Sequence, residues 1–267
     1  MTTLGHVTGL RVYPLKGAGG IELEQAGLDP RGLLHDRRWM LVHQGVFLSQ
    51  RSHPMLALLR PRLEGESLRV GMEGVSGEAY LPPMDEGERL EVEVWGDRVE
   101  AVAPSPEADA WFSELLGLDC RAVRMPAGSR RPTDPAFAPG SEVSFADGYP
   151  LLMVSEGSLR ELNRRLDEPL GMERFRPNLI VAAAEGWGPH AEDDWPPFTI
   201  GDTRFRGVKP CARCVVTTID QETGEAGREP LRTLASYRER DGKVWFGQNL
   251  VHEGEGPVRV GDPLVRS

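Results

Sequence analysis

Two of the chain's three cysteines, Cys211 and Cys214, form a C-x-x-C pair flanked by Lys209 and Arg213. A thiolate is the nucleophilic and metal-binding form of cysteine, and neighbouring cations favour it over the thiol. The β-branched run 215–219 follows at once and predicts a strand, which would hold the sulfur on a rigid element. We therefore expect the chemistry of this protein to take place at these two cysteines.

A single C-x-x-C pair is compatible with several kinds of site. A structural zinc site needs four ligands, and no second C-x-x-C or H-x-x-x-H pair follows in this sequence. A thioredoxin-like dithiol is expected where a strand passes into a helix, whereas here a β-branched run follows. A buried structural pair would not need the flanking cations. From the residues alone, a functional pair and a structural pair are equally open.

Four other segments combine polar or glycine-rich residues with predicted strands. Segment 13–20 ends a strand in a lysine and a glycine-rich turn, where backbone N–H groups can converge on an anion. Segment 35–39 places an acid and two arginines before a short strand, and segment 175–181 begins another strand with F-R-P-N. Segment 246–249 has the sequence F-G-Q-N. Each segment alone also fits an exposed turn, a surface ion pair or a strand entry.

Composition limits the class of protein. The 267 residues, 39% hydrophobic and 27% charged, fit a soluble globular protein with one large domain or two closely associated ones. A net charge of −10 argues against general nucleic-acid affinity. The spacing of the three cysteines does not suggest a disulfide framework, which favours a reducing compartment. The sequence shows no signal-peptide pattern and no apolar run of the ~20 residues that a transmembrane helix needs. We expect a cytoplasmic protein that binds neither nucleic acid nor membrane.

The elements that must position the candidate residues are mainly β. Segments 7–13 and 39–43 predict strands. Segments 90–95 and 98–102 predict a hairpin that turns at Gly96. The chain's glycines and prolines are scattered, which is typical of many short strands joined by turns.

Helices are fewer. Ser105 predicts a helix start, because a proline and an early acid follow it, and Gly117 predicts the helix end. A second helix is predicted near Ser155, with a leucine stripe that faces the core. Its leucines are Leu159, Leu162 and Leu166. Segment 126–140 lacks periodicity and is rich in small residues and proline, which predicts a connector or flexible loop between two lobes.

Taken together and in this order, the motifs resemble those of one family. They are Y-P-x-K, D-R-x-W, an F-R-P-N strand entry, C-x-R-C-x-x-T-T-h-D with h apolar, and F-G-Q. The chain is similar to the MOSC (molybdenum cofactor sulfurase C-terminal) family with its N-terminal β-barrel domain, and within it to amidoxime-reducing components and bacterial reductases of N-hydroxylated bases. The resemblance extends from about residue 4 to 265. It implies a mainly β protein with a few helices (α+β), with an N-terminal β-rich domain over 1–125, a C-terminal MOSC β-barrel over 126–267 and a cofactor in the cleft between them.

The resemblance also implies roles for individual residues. The cofactor would be molybdopterin, with its molybdenum bound by a dithiolene and by Cys214, while Cys211 would play a supporting part. Lys16 and Arg37 would bind the cofactor phosphate, and Arg176 would contact the pterin. The other cofactor-binding residues would be Gly17, Ser155, Asn178, Ala212, Arg213 and Thr217, and Arg51 is a further basic candidate near the N-terminal motifs.

Two positions depart from the family pattern. Gly17 and Ala212 stand where family members often carry serine, so backbone N–H groups would have to replace two hydroxyl donors. Cys120 lies in no motif, and we expect it to be a small, buried, apolar residue.

The activity that the resemblance implies is a molybdenum-dependent reduction of a small N-hydroxylated substrate, in which N–OH becomes N–H and water leaves. The sequence has no nucleotide-binding glycine fingerprint after a clear strand and no ferredoxin-type cysteine cluster. We therefore expect the electrons to come from a separate flavin, haem or iron–sulfur protein. Two alternatives remain open, a sulfur-carrier or cofactor-handling module that uses Cys214, and a non-catalytic cofactor-binding protein.

Overall fold

In a computed structural model, which describes residues 2–267, the chain is mostly β with three α-helices, as the sequence predicts. The strands of the first half are β1 (Thr3–Val12), β2 (Ile21–Leu23), β3 (Gln25–Ala26), β4 (Leu28–Asp29), β5 (Gly32–Leu33), β6 (Trp39–His43), β7 (Val46–Phe47), β8 (Leu59–Glu64), β9 (Ser67–Met72), β10 (Ala79–Leu81), β11 (Glu88–Val94), β12 (Asp97–Ala103) and β13 (Arg121–Arg124). Those of the second half are β14 (Leu151–Ser155), β15 (Leu179–Ala183), β16 (Phe198–Ile200), β17 (Thr203–Ala212), β18 (Glu239–Arg240), β19 (Lys243–Glu253), β20 (Val258–Arg259) and β21 (Pro263–Arg266). The helices are α1 (Pro106–Leu116), α2 (Glu156–Asn163) and α3 (Leu231–Arg238), and short 3₁₀ helices cover Pro54–Leu58, Met172–Arg174, Ala191–Asp193 and Val215–Thr218.

The first barrel is formed by β6, β7, β11, β12 and β13, which pair in a closed ring. It contains the predicted hairpin, because β11 and β12 pair in register until Val94 faces Asp97 and are joined by Trp95 and Gly96. Apolar side chains that alternate along these strands fill its interior, together with Met125 and Phe145 of the segment that follows β13. These are Met40, Val42, Val92, Val94, Val99, Ala101, Ala103, Val123, Met125 and Phe145.

Helix α1 begins and ends where the sequence predicts. The hydroxyl oxygen of Ser105 accepts a hydrogen bond from the Ala108 N–H at 3.3 Å, and Gly117 ends the helix in the left-handed conformation with φ 66°. The helix packs against β10 and β13, and its Phe112 is buried in the cluster that also includes residues of the three-stranded sheet β8–β9–β10.

The second barrel is larger and closes through seven strands, in the ring order β14, β15, β1, β21, β16, β17 and β19, with β19 pairing back to β14. Six of these strands come from the second half of the chain, but β1 lies between β15 and β21. The rings of Phe198 and Phe205 stack in the core at 5.7 Å between centroids. A domain boundary at residue 125 remains a prediction, and it would separate β1 from the barrel in which it pairs.

The segment between β13 and β14 connects the two barrels but is packed rather than loose. Its Arg131 is buried, pairs with Asp97 at 2.7 Å and donates to the carbonyl oxygens of Ser144 at 3.1 Å and Asp147 at 3.0 Å. A buried guanidinium with several acceptors fixes the backbone around it. Residues 144–147 are therefore held beside the first barrel.

Helix α2 follows Ser155, as predicted, but it ends at Asn163, so Leu166 lies beyond it. Leu162 is fully buried, whereas Leu159 and Leu166 are half-buried against the same apolar cluster.

Within residues 2–267, none of the helices has the length and apolar character needed to cross a lipid bilayer.

Candidate functional site

A cleft between the two barrels brings the sequence-predicted residues together. Phe47 and Trp95 of the first barrel lie on one side, and Leu152 and Asn249 of the second lie on the other. Every expected site residue except Ser155 lines this cleft. Those that do are Lys16, Gly17, Arg37, Arg51, Arg176, Asn178, Ala212, Arg213, Cys214 and Thr217.

The cleft concentrates positive charge in a chain whose net charge is −10. Five cationic side chains line it, and Asp147 supplies the single carboxylate of the lining. The cations are Lys16, Arg37, Arg51, Arg176 and Arg213. A concave surface with one sign of charge focuses the field and attracts ligands of the opposite charge. The cleft therefore fits an anionic ligand.

Lys16 lies directly after a bridge between Leu15 and Trp39 and is 7% exposed. Its ammonium group donates to the Phe145 carbonyl oxygen at 2.8 Å and to Asp147 Oδ1 at 2.6 Å. Burial lowers the pKa of Lys16, and the carboxylate opposes this shift. The walls of the cleft around Asp147 would by themselves raise its pKa, although its side chain is accessible to solvent, but the Lys16 ammonium reverses the direction and holds this pKa well below its usual range.

Arg37 and Arg176 both lie over the ring of Tyr13, with guanidinium carbons 4.5 Å and 4.2 Å from its centroid. Arg37 donates to Asp36 Oδ2 at 2.7 Å and to Asn178 Oδ1 at 3.2 Å. Burial lowers the pKa of Arg176 to about 10, which still leaves it charged at neutral pH. Two segments that are distant in sequence thus present a pair of ordered guanidinium groups to the cleft.

The strand predicted over 215–219 is wrong, since Val215–Thr218 is a 3₁₀ helix that begins after Cys214. The hydroxyl of Thr217 donates to the Cys214 carbonyl oxygen at 2.9 Å, and that of Thr218 donates to the Val215 carbonyl oxygen at 2.8 Å. Such local side-chain bonds compete with strand pairing. The rigid strand is β17, which ends at Ala212 just before Cys214.

Both cysteines of the pair line the cleft and are partly exposed. Arg213 donates to Cys211 Sγ at 3.0 Å and to the Phe175 carbonyl oxygen at 2.8 Å, while its buried Nε has no hydrogen-bond partner among residues 2–267. Within the same residues, no group of three or more His, Cys, Asp or Glu side chains is placed to hold a metal ion.

Cys120 is buried far from this pair in sequence, and burial raises its pKa to about 11, as expected for a core thiol.

Ser155 does not reach the cleft, although the resemblance implies a cofactor contact there. Its hydroxyl donates to Glu192 Oε2 at 2.9 Å and accepts the Ser158 N–H at 3.1 Å at the start of α2. Glu192 is itself buried, and its other oxygen accepts from the Ser158 hydroxyl at 2.6 Å. Ser155 therefore serves as a helix cap and as a donor to a buried carboxylate.

We expect Ser155→Ala to lower the free energy of unfolding by about 1–2 kcal/mol, because it removes a helix cap and one donor to Glu192. Thermal unfolding of the wild type and the variant measures this loss. Ser236→Ala, which removes an exposed hydroxyl that also bonds a backbone carbonyl, is the matched control and should change stability little. A variant of unchanged stability that lacks bound cofactor would contradict the structural role.

The sequence analysis missed several residues that line the cleft. They are Phe47, Ser49, Gln50, Trp95, Ala146, Asp147, Gly148, Tyr149, Leu152, Val216 and Asn249, besides Phe175 and Cys211 of the motifs already named. Gln50 donates to the Gly17 carbonyl oxygen at 2.6 Å, and Trp95 donates to Asp147 Oδ1 at 2.9 Å. Most of these residues lie in turns and irregular segments, where the local pattern predicts only a loop. Of these residues, Val216 and Asn249 lie in segments that the sequence singles out, the run 215–219 and segment 246–249.

The residues of the cleft fit an anionic molybdopterin cofactor. Such a group carries a phosphate, a flat heteroaromatic ring and a metal that prefers soft sulfur ligands. Among the five cations of the cleft, Lys16 and Arg37 suit the phosphate and the planar guanidinium of Arg176 suits the ring, while two partly exposed thiols suit the metal.

Comparison with known proteins finds a matching family domain in each half of the chain. The model of the MOSC domain matches residues 140–265, and that of the MOSC N-terminal beta barrel domain matches residues 4–119. The chain is 33% identical to mitochondrial amidoxime-reducing component 1 of Mus musculus, over 98% of this chain and 82% of that protein. The Homo sapiens protein of that name is 32% identical, with the same coverage.

A second kind of relative is similar over a smaller part of its own length. The chain is 34% identical to a molybdenum cofactor sulfurase of Danio rerio, over 92% of this chain but only 32% of the sulfurase. The two family matches, the similarity to amidoxime-reducing relatives over 98% of this chain and the double-barrel architecture agree. The chain belongs to the MOSC family, with both its N-terminal β-barrel domain and its MOSC domain.

Proposed function

We propose that this protein is a molybdenum-cofactor-dependent reductase that converts small N-hydroxylated compounds, N–OH, to N–H and water. The observation that carries the proposal is the cleft itself, which places five cations and a cysteine pair together in a chain of net charge −10. The amidoxime-reducing relatives, which match nearly the whole chain, favour reduction of an N-hydroxylated substrate.

In this proposal the residues divide the binding of the cofactor among them. Lys16 and Arg37 bind its phosphate, Arg176 and Asn178 bind its pterin, and the Cys214 thiolate is the metal ligand. When bound, the cofactor would supply the two-electron redox chemistry of the reaction. The protein contributes binding, orientation and electrostatics.

The remaining side chains of the cleft keep these groups in place. Arg213 links the Cys211 sulfur to the Phe175 carbonyl oxygen, so it fixes the strand end that precedes Cys214. Asp147 neutralises Lys16, and its side chain is 76% exposed. An incoming phosphate can therefore replace the carboxylate at the ammonium group. An exposed carboxylate loses little free energy when its ion pair is broken, because water solvates it instead.

Electrons must come from a second protein in this proposal. We expect that the purified chain does not oxidise NADH or NADPH unaided, but reduces amidoximes or hydroxylamines when it is given reduced viologen or a reconstituted donor chain. Reduction of a small N-hydroxylated compound, followed by chromatography of the product, is the test. NADH-dependent turnover by the chain alone would disprove this division of labour.

The sulfurase relatives support a second candidate, a module that carries sulfur or hands on the cofactor without reductase turnover. The two candidates differ in what the purified protein holds. A reductase retains about one molybdenum per chain and turns over with an artificial donor. A sulfur carrier holds a labile sulfane sulfur on Cys214, and cyanide releases this sulfur as thiocyanate.

A further inference from the structure

Tyr13, the first residue of the Y-P-x-K motif, is 1% exposed and does not itself line the cleft. Its main-chain N–H donates to Asp36 Oδ1 at 2.8 Å, and its carbonyl oxygen accepts the Arg37 N–H at 2.9 Å. Its hydroxyl donates to the Pro177 carbonyl oxygen at 3.2 Å. The residue therefore bonds to two segments, distant from each other in sequence, that supply Arg37 and Arg176 to the cleft.

Both of these arginines have a backbone conformation that a long side chain disfavours. Arg37 adopts φ 47° and Arg176 adopts φ 55°, in the left-handed region that suits glycine and crowds the Cβ atom of other residues. Such residues persist where surrounding contacts hold them, and they are frequent at binding sites. One contact that both share is the ring of Tyr13, whose centroid lies 4.5 Å and 4.2 Å from the two guanidinium carbons. The backbone thus sets where each side chain starts, and the ring sets where its guanidinium group lies.

The two guanidinium groups also repel each other. Burial lowers the pKa of Arg176, and the positive charge of Arg37 lowers it further. Arg37 has the carboxylate of Asp36 at 2.7 Å, whereas Arg176 has no carboxylate partner among residues 2–267 and donates to the Ala18 carbonyl oxygen at 2.7 Å. An aromatic face partly compensates a buried cation, because the π electrons make that face negative. Without the ring of Tyr13, we expect Arg176 to turn away from Arg37.

We propose that Tyr13 is a positioning residue that holds Arg37 and Arg176 at a fixed separation, so that one extended anion contacts both guanidinium groups at once. The inference rests on the proposed function, in which Arg37 binds the phosphate of the cofactor and Arg176 binds its pterin. Side chains that are already ordered lose less conformational freedom on binding, so this arrangement raises affinity. Contacts between a buried cation and an aromatic face are worth enough to change affinity about tenfold.

The test compares two variants of Tyr13 in two backgrounds. Tyr13→Phe keeps the aromatic face and loses only the hydroxyl group, whereas Tyr13→Leu loses the face. Binding of free molybdopterin to the apoprotein is measured in the otherwise wild-type chain and in Arg176→Ala. We expect Tyr13→Leu to weaken binding about tenfold in the first background and less than about threefold in the second, because much of its effect acts through Arg176. Tyr13→Phe should recover most of the affinity.

An equal, roughly tenfold loss in both backgrounds would overturn the proposal, because the ring would then support the fold and not the arginines. NMR of the arginine Nε–H groups in the apoprotein needs neither cofactor nor turnover. We expect Arg37 and Arg176 to be as rigid as the backbone in the wild type and in Tyr13→Phe, and mobile in Tyr13→Leu. Mobile groups in the wild type overturn the proposal even where Tyr13→Leu does not fold.

The same measurements separate this role from the reductase function. A protein that shows the coupling between Tyr13 and Arg176 but reduces no N-hydroxylated compound keeps the positioning role and disproves the reductase. A protein that reduces such compounds but loses equal affinity in both backgrounds keeps the reductase and disproves the positioning role. A wild type that binds no molybdopterin overturns both.

Discussion

Replacing Cys214 by serine should give a folded protein that retains little molybdenum and has lost at least about 99% of its reductase activity. A serine hydroxyl is a harder and far less acidic ligand than a thiol, so it suits a sulfur-rich metal site poorly. Cys214 lies on the surface of the cleft and not in the core, so the fold should tolerate the change. Metal analysis of protein made in a host that synthesises the cofactor, together with circular dichroism, measures both parts.

Cys211→Ser is the matched control for this prediction. Cys211 accepts a hydrogen bond from Arg213, and a serine oxygen can accept from the same guanidinium group. We therefore expect Cys211→Ser to keep most of its molybdenum. If Cys211→Ser loses the metal and Cys214→Ser retains it, the ligand assignment is reversed.

The double variant Lys16→Ala/Arg37→Ala should be purified nearly free of cofactor. Each side chain can donate charge-assisted hydrogen bonds to a phosphate, and such bonds contribute about 1.5–3 kcal/mol each. Each loss should therefore weaken binding about 10- to 100-fold, and the two together should exceed what purification tolerates. Molybdenum and pterin content per chain are the measurements, and full occupancy in the double variant would show that the phosphate binds elsewhere.

The two single variants should differ in stability. Lys16→Ala frees Asp147, which is largely exposed and can be solvated, whereas Arg37→Ala leaves the fully buried Asp36 carboxylate without its cation and with only the Tyr13 N–H as a hydrogen-bond donor. Loss of one member of a buried ion pair costs about 3–5 kcal/mol, so Arg37→Ala should also unfold at lower temperature. Arg62→Ala, which breaks an exposed pair with Glu78, controls for the removal of an arginine alone.

Much of the fold follows from local sequence patterns. The β11–β12 hairpin follows from strict alternation and a glycine turn, and α1 follows from Ser105 and Gly117, because short-range bonds decide both. The position of β1 does not follow, because its pairing with β15 and β21 depends on contacts that span most of the chain. The β-branched residues after Cys214 predict a strand, but a 3₁₀ helix forms there. The hydroxyl groups of its threonines bond to nearby carbonyl oxygens, which competes with strand pairing.

The candidate site was predictable where it depends on residues in motifs, and the cleft contains every expected site residue except Ser155. Asp147 and Trp95 could not be predicted in the same way. Asp147 lies in an irregular segment held by Arg131, and Trp95 lies in a hairpin turn that most often carries small polar residues. Their importance comes from a hydrogen bond between two segments, and no local pattern in either segment indicates it.

The place of β1 in the second barrel has a consequence for synthesis on the ribosome. β1 is made first, yet its neighbour β21 is the last strand of the chain, and the barrel lacks a closing partner until β21 has emerged. During most of translation the short strand β2 is the partner available to β1, so the edges of β1 that face β15 and β21 stay open and several of its apolar residues stay exposed. Chaperones bind such strands, and such strands aggregate when they stay exposed. The first barrel, whose strands span residues 39–124, has all its partners much earlier, so we expect the first barrel to fold before the second.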